Sequence, residues 1–376
     1  MTTIDGVIAA WIGLYFAVLW PLLWGARRLR RPSPPAAAAG GRVSVVVSAR
    51  NEARDLPRCI DALLALEYPR DLLEIILVDD LSDDATGSII DAVARANVHV
   101  RAIHTSALPD NGLEAKARGL AHGMALATGD WVLITDADAA VPKLWVRHLL
   151  GGVTPAIGMV GGAVVIETEG WWSVPERISW GFLQQFALGL AGLGFPIICV
   201  GPNMGIRRAT YRAAGGLERA PFRVAEDLAL FLMVRRAGLG VQLSYSPETA
   251  VSVRPVPSVV HLFSQHRRWL AGGMEQGRGL AVALWMTMGW GAGVAAYMLA
   301  GWLLSWPLWG LFMAAKLGTD WCLLRAQQRR LALPHHARYL PVLQLLQVVA
   351  MVFLPVSFLW RRTVRWRGEG YQVRYP

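Results

Sequence analysis

The chain is short of charge and of cysteine. Only 17% of its 376 residues are charged, against about 25% in an average soluble chain, while 54% are hydrophobic and 17 are tryptophan. That balance points towards association with a membrane. The three cysteines, Cys59, Cys199 and Cys322, are odd in number and lack metal-ligand spacing. They argue against a disulfide framework or a zinc site and fit reduced thiols. Two phosphate cradles are missing as well. No G-x-G-x-x-G follows the first strand-like run, where SARNEA stands instead, and there is no Walker lysine motif. Nicotinamide and P-loop chemistries therefore lose their usual anchor.

The charge that is present is unevenly spread. Thirty-seven Lys and Arg against 27 Asp and Glu give a net +10, a balance that can signal nucleic acid. Here the basic runs RRLRR (27–31), RAQQRR (325–330) and RRTVRWR (361–367) flank apolar segments. That placement suits an anionic phospholipid bilayer, and no nucleic-acid partner is expected. Gly6–Ala26 is long enough to cross a bilayer and is expected to be a retained signal anchor, with no small-residue cleavage site before the arginines. Arginines after it put its C-terminal end, and the domain that follows, on the cytoplasmic side. Gly279–Ala315 is long enough for one crossing or for a hairpin around Ser305–Pro307. Tyr339–Trp360 is long enough to cross, although Pro341, Gln344, Gln347 and Pro355 weaken that reading. Ile178–Ile206 is also uncharged, but Gln184, Gln185, Asn203 and its glycines predict a helix under an apolar groove, then a buried strand, rather than a span.

After the Pro- and Ala-rich stretch RRPSPPAAAAGG (30–41), apolar strands alternate with amphipathic helices. RVSVVVSAR, LEIILVDD, VHVRAIHTS and DWVLITDADA read as strands. Between and after them come helical patterns around Leu56, Ile60, Leu63 and Leu64, then TGSIIDAVARA, GLEAKARGLAHGMALA and KLWVRHLLGG. The alternation predicts an α/β domain with a mostly parallel sheet covered on both faces. Ligands on such sheets sit beyond the carboxyl ends of the strands. Acidic residues fall there: Glu52 after the first strand, Asp79 and Asp80 after the second, Asp136 and Asp138 after the fourth. Ser82, Asp83 or Asp84 reads as a helix cap. Residues i and i+2 of an extended segment point the same way, so Asp136 and Asp138 would both face one divalent cation, Mg²⁺ or Mn²⁺, bridged to a phosphate. The pattern alone reads equally as a solvated turn.

In order along the chain stand VVVSARNEARDL, ILVDDLSDD, ITDADA, GPNMGIRR, VAEDLAL and QHRRW. The ordered set resembles the family 2 glycosyltransferases of GT-A fold, a Rossmann-like nucleotide-diphospho-sugar transferase domain. It is closest to their membrane-associated, lipid-modifying branch of ceramide, carotenoid and hopanoid glycosyltransferases, and spans roughly Arg42 to Gly273. The resemblance implies an N-terminal transmembrane anchor and linker over 1–41 and a cytoplasmic GT-A domain over 42–278. A C-terminal membrane region of two or three segments with a basic tail follows over 279–376. The whole would sit in a bacterial inner membrane.

The resemblance also implies roles. Glu52, Asp79 and Asp80 hold the nucleotide. Lys116 lies near it, although Ala115–Lys116 replaces the usual glycine–lysine pair. Asp136 and Asp138 bind the metal and diphosphate, with Asp138 the direct ligand. Asp227 is the general base and Glu226 its neighbour; as a simpler alternative the pair caps the following helix. Gln265, Arg268 and Trp269 share one helix face, with Arg268 stabilising the leaving diphosphate and Trp269 serving nucleotide or acceptor. Asn203 either bonds the acceptor or fixes its own loop. The expected reaction is inverting transfer of one sugar from a nucleotide sugar, UDP-linked by preference, to a hydroxyl of a membrane lipid. The alternatives are a processive polysaccharide synthase, a polyprenyl-phosphate sugar transferase and a non-catalytic scaffold with a GT-A shell. The apolar stretch around Trp171, Trp172, Trp180, Phe182, Phe186 and Phe195 is what favours a lipid acceptor or docking on the membrane.

Overall fold

The computed structural model describes residues 3–29, 41–171, 173–220, 226–274, 278–360, 363–366 and 369–372. The 30–40 part of the linker, Trp172 and parts of the last basic run lie outside them. The chain divides into two units. One is helical, Met1–Arg30 with Thr168–Ile197 and Pro255–Pro376; the other carries the sheet, Arg31–Glu167 with Ile198–Arg254. Helix α1 (Thr3–Arg28) belongs to the helical unit, and the chain then enters the sheet unit.

The sheet unit begins with β1 (Val43–Ala49), α2 (Leu56–Leu64), β2 (Leu73–Asp79), α3 (Thr86–Ala96), β3 (Val100–His104), α4 (Ala115–Leu126) and β4 (Trp131–Ile134). It goes on through β5 (Ala139–Ala140), α5 (Trp145–Leu149), β6 (Ile157–Gly162) and β7 (Val164–Ile166). After α6 (Ser173–Gly192), which belongs to the helical unit, it resumes with β8 (Met204–Arg207), α7 (Arg208–Ala213), α8 (Glu226–Arg236), β9 (Gly240–Ser244) and β10 (Val251–Val253).

Seven strands form one sheet in the order β3-β2-β1-β4-β8-β6-β9. The β1–β2, β2–β3, β1–β4 and β6–β9 pairs are parallel, and only β8 runs antiparallel to its neighbours. β1 and β2 carry consecutive apolar runs over 45–47 and 75–78 because both faces are covered: Val45, Val46, Val47, Ile75, Ile76 and Leu77 are all buried. Leu56, Cys59, Ile60 and Leu63 form the buried stripe of α2, each full burial of a large apolar side chain contributing about 1.5–3 kcal/mol. In-register pairing sets Ala49 beside Asp79 and Asp79 beside His104, so the strand ends form one edge.

In the helical unit, α6 is followed by α9 (Val259–Met274), α10 (Arg278–Ala300), α11 (Trp306–Arg330), α12 (Leu340–Trp360) and the hairpin β11 (Thr363–Trp366) and β12 (Glu369–Gln372). The 279–315 run is thus two helices broken at Gly301–Ser305. The 178–206 run is a helix of this unit followed by the buried strand β8 of the other. α1 and α6 touch backbone to backbone. A side chain at Gly192 would place its Cβ 1.9 Å from the Gly25 carbonyl oxygen, and one at Gly25 would lie 2.2 Å from that of Gly189, the small-residue contact that lets helices approach closely without polar pairing. Among the described residues α1 is long and apolar enough to cross a membrane, over Asp5–Arg28, while Leu340–Leu354 is apolar but shorter.

Candidate active site

The carboxyl edge of the sheet carries most of the expected residues. Past β1 the chain turns at Asn51, which sits in the left-handed region at φ 55°. This loop is strapped to the one after β2. The Asn51 amide donates to Ser82 Oγ (3.0 Å), Glu52 N to Thr86 Oγ1 (2.8 Å) and Ala53 N to Asp84 Oδ2 (3.1 Å). Asp84 also accepts from Thr86 N at the start of α3 (2.8 Å). The N-cap position of α3 is Ala85, with no side-chain cap, so none of Ser82, Asp83 and Asp84 fills that role; Asp84 instead ties the start of α3 to Glu52's loop.

The adjacent aspartates part company. Asp80 is fully buried, with Arg118 Nε at 2.7 Å from one oxygen, Arg118 Nη2 at 3.1 Å from the other, and the Thr105 hydroxyl donating at 3.0 Å. It ties β2 to α4. Asp79 retains slight exposure and meets His104 Nδ1 at 3.0 Å, whose Nε2 meets Asp91. Hydrogen bonds to Asp91 and Asp79 raise the His104 pKa. Arg118 and His104 escaped the motif reading; the available signal was that a carboxylate following an apolar strand needs a cationic or donor partner once buried.

Asp136 and Asp138 stand at the end of β4, in a turn rather than in extended chain. The strand stops at Ile134, and Ala139 N donates back to Asp136 O at 3.1 Å. This corrects the extended i, i+2 geometry. The chain must leave the large sheet to reach β5, which pairs with β10 in a separate three-stranded sheet. Burial still alternates, with Asp136 and Asp138 half-buried and Ala137 and Ala139 buried. α2 pins the turn's backbone: Arg58 donates to Asp138 O (3.2 Å) and the Cys59 thiol to Asp136 O (3.4 Å). Burial, with the carboxylates of Asp138, Asp136 and Glu52 around it, pushes that thiol well above its ordinary pKa. Cys59 is a packing residue and no nucleophile.

Lys116, at the start of α4, joins this turn to the start of α8. Its Nζ lies 2.5 Å from Asp136 Oδ1 and 2.9 Å from Glu226 Oε1. Burial opposes the ammonium charge, but the two carboxylates outweigh it and lift the Lys116 pKa well above the usual lysine value. Asp227 follows on α8, its oxygens accepting from Leu228 N (2.8 Å) and Gly201 N (3.2 Å). Burial, then the charge of Glu226, pushes Asp227 up to about 6 against the pull of Lys116. Gly201 keeps this point uncrowded: a Cβ there would meet Lys116 Nζ at 3.1 Å and Glu226 Oε1 at 3.4 Å.

Asn203, offered as an acceptor contact or a loop brace, is the brace. It is fully buried, its Oδ1 accepts from Trp145 Nε1 (2.8 Å), and its Nδ2 donates to Ala163 O (2.7 Å) and Thr249 O (2.6 Å). Both amide protons and the carbonyl oxygen of its side chain are engaged within the protein. Gln265, Arg268 and Trp269 lie on α9 of the helical unit, where helical spacing puts them on one face. Trp269 meets Trp180 edge to face, centroids 4.8 Å apart, and His266 at 5.1 Å.

The donor set at the Asp136–Asp138 turn is all carboxylate oxygen, which fits a hard divalent cation of the Mg²⁺ or Mn²⁺ type. Among the described residues no three His, Cys, Asp or Glu side chains converge as a cage. Mg²⁺ in phosphate sites uses one or two carboxylates and draws other ligands from substrate phosphates and water, so the lack of a three-residue cage does not itself argue against a cation.

Several known proteins resemble this chain. A probable glycosyltransferase of Bacillus subtilis, YdaM, is 28% identical over 61% of this chain and 55% of its own length. A beta-monoglucosyldiacylglycerol synthase of Synechocystis is 26% identical over 66% of this chain and 51% of its own. The chain thus spans about half the length of these curated relatives. Among solved structures, a mannosyltransferase of Pyrobaculum calidifontis, determined with GDP-Man and Mn²⁺, superposes with a TM-score of 0.57 at 21% identity, covering 95% of this chain and 99% of its own. That likeness shows the shared GT-A-like fold. The family model that matches is family 21 rather than the family 2 named from the motifs, and it matches residues 14–376. The chain belongs to glycosyl transferase family 21.

Proposed function

We propose that the protein is an inverting glycosyltransferase that moves one sugar from a nucleotide sugar, UDP-linked by preference, to a hydroxyl of a membrane lipid. The observation that carries this is Lys116 bridging the Asp136–Asp138 turn to the Glu226–Asp227 pair, which gathers a diphosphate-side and a base-side cluster in one site of the sheet unit. Family membership supports the transferase class, and a relative named for making a glucosylated diacylglycerol supports the lipid.

In this reading Glu52, Asp79 and Asp80 shape the nucleotide end, with Asp80 acting through Arg118. Asp136 and Asp138 hold the diphosphate end; a divalent cation bound there supplies charge neutralisation and Lewis acidity. Asp227 accepts the proton of the acceptor hydroxyl as its oxygen bonds to C1, and the C1–oxygen bond to the diphosphate breaks on the opposite face. A carboxylate near 6 suits that work at neutral pH, being mostly ionised yet basic enough to take a proton. Arg268 is proposed to meet the charge on the departing diphosphate, with Gln265 and Trp269 beside it. The anchor over 1–41, the catalytic domain over 42–278 and the membrane region over 279–376 would keep the reaction at the cytoplasmic face of a bacterial inner membrane, its basic runs on anionic lipid.

The test is product formation by the purified full chain with Mg²⁺ or Mn²⁺, nucleotide sugars and lipid acceptors, with the anomer read by NMR. A β-linked monoglycosyl lipid from an α-linked donor is expected. An α-linked product would overturn inversion, and a polymer would return the processive alternative.

A further inference from the structure

His104 ends β3 and has no place in the motifs. In-register pairing with β2 sets it beside Asp79. Each of its ring nitrogens faces a carboxylate: Nδ1 lies 3.0 Å from Asp79 Oδ2, and Nε2 lies 3.0 Å from Asp91 Oδ1 of α3. An ionised carboxylate only accepts, and a neutral imidazole has one N–H and one lone pair. In either neutral tautomer one nitrogen would turn its lone pair on a carboxylate. Only the imidazolium, a donor at both ends, satisfies both partners. The charged groups that face the ring are these two, and hydrogen bonds to Asp91 and then Asp79 raise its pKa against the smaller opposing effect of burial. Arg118 of α4 is engaged by Asp80, and Arg101 of β3 by Leu126 O and Glu74.

The clamp is tight at Asp79 and open at Asp91, whose side chains are 12% and 42% exposed. Asp79 Oδ1 accepts from Ser82 N (3.2 Å). A Cβ at Gly87, in the first turn of α3, would stand 2.8 Å from Asp79 Oδ2 and 3.4 Å from His104 Cε1. Thus β3, the loop after β2 and the start of α3 all close on the Asp79 carboxylate, and each of its oxygens keeps lone-pair capacity for a ligand. This happens at the carboxyl edge of the sheet, where ligands of such sheets sit. We propose that His104, as an imidazolium held between Asp79 and Asp91, is a positioning residue that fixes the Asp79 carboxylate for the nucleotide sugar, so that donor binding weakens when the ring loses its proton. The inference rests on the reading of Asp79 as part of the nucleotide end, and adds to it a residue and a pH dependence. The raised pKa sets the direction: the clamp holds while the ring is charged and is lost as pH rises beyond 6.5, the ring's ordinary value. Asp227 runs the opposite way, its work growing as pH rises through about 6. With donor saturating, the ring leaves kcat and the acceptor kcat/KM unchanged.

The test is calorimetry of UDP-glucose and GDP-mannose on the detergent-solubilised full chain, from about pH 6 to about pH 9, the range over which an imidazole discharges. Thermal unfolding is followed alongside. For the nucleotide sugar that binds, the parent's Kd should rise about tenfold over this range, the worth of one charge-assisted hydrogen bond. His104→Gln, which still donates to Asp79 but carries no charge, should show the parent's high-pH affinity throughout and no slope. Asp91→Asn should move the parent's profile to lower pH, by up to about one pH unit, without flattening it. A ring that only braced β3 against α3 would move the unfolding temperature and leave all these affinities alike. A flat parent profile, a slope kept in His104→Gln or an unmoved profile in Asp91→Asn overturns the inference. So does an Asp79→Asn variant that weakens binding while His104→Gln does not. If Asp79→Asn leaves binding unchanged, or neither nucleotide sugar binds, the donor reading itself falls and takes the inference with it.

Discussion

Two lysines held by carboxylates, one in each unit, show how the proposed catalytic cluster differs from a brace. Lys316 on α11 donates to Asp320 (2.6 Å), Gln344 (2.6 Å) and Gln347 (3.3 Å), and Gln344 donates in turn to Asp320 (2.7 Å). One ammonium meets one carboxylate, amide groups complete the set, and the lysine side chain is 2% exposed. Lys116 is 17% exposed and meets two carboxylates, with Asp227 next along α8 and Asp138 two residues along the turn. The two carboxylates that meet this one ammonium leave the ion-paired set one negative charge in excess. A balanced, closed cluster fixes helix packing and register. An unbalanced, open one is what the proposed cation and diphosphate site calls for.

The largest effect should come from the unbalanced cluster. Asp227→Asn is expected to lower transfer by about 10²–10⁴-fold, the range for a positioned general base, while calorimetry still finds the nucleotide sugar bound. Retained turnover would take Asp227 out of the chemistry and make its cluster another brace. The pH profile sharpens the point. The base works ionised, so kcat/KM should climb as pH rises through about 6 and then level. Stability should move the other way. With its folded value raised above the ordinary 3.8, the folded state holds the proton more tightly, and that contribution is lost as pH rises through about 6.

The balanced cluster should fail differently. Lys316→Met strands Asp320 in the helix packing and should lower stability by about 3–5 kcal/mol, and adding Asp320→Leu should recover most of it, as for other buried pairs replaced whole. Thermal unfolding of the solubilised chain reads both, and donor affinity should not move. Loss of donor binding in the double variant would end the distinction between the two lysines.

Those two clusters also mark what could be read in the sequence. The strands, the helices around them and the acidic residues at the strand ends were legible because period-2 and period-3.6 patterns are local. The partners of those residues were not. Gln344 and Gln347 counted against a membrane reading of 339–360 until Lys316, on another helix, accounted for them. Nothing local to α4 marks Arg118 as the partner of Asp80, because Asp80 sits 38 residues earlier and is buried only in the fold. The turn at Asp136–Ala139 was hidden because the need to reach β5 and its pairing with β10 is a long-range demand. The assignment of α6 to the helical unit, through glycine contacts with α1, was equally non-local.

Smaller effects test how tightly the open cluster is built. Gly201→Ala puts a methyl 3.1 Å from Lys116 Nζ and 3.4 Å from Glu226 Oε1. The lysine tip must shift, and kcat/KM is expected to fall about tenfold, a positional loss of the kind small misplacements cause, with little change in thermal unfolding. If the unfolding temperature falls together with activity, Gly201 supports the fold more than the site.

The smallest effect lies at the residue before Lys116. Ala115 sits at φ 54°, in the left-handed region where a β-carbon costs energy and glycine does not. This is the position at which the resemblance implies a glycine. The backbone bends there so that α4 starts with Lys116 reaching both Asp136 and Glu226, and the strain is tolerated because that ion-paired lysine fixes the bend. Ala115→Gly should therefore relieve about 1–2 kcal/mol of strain, set against roughly 0.4–1 kcal/mol of added unfolded-state freedom, for a net gain of about 0–1.6 kcal/mol by chemical denaturation. A loss of stability instead would mean that the alanine methyl packs to advantage. The strain would then not be the cost of holding Lys116 between its two carboxylates.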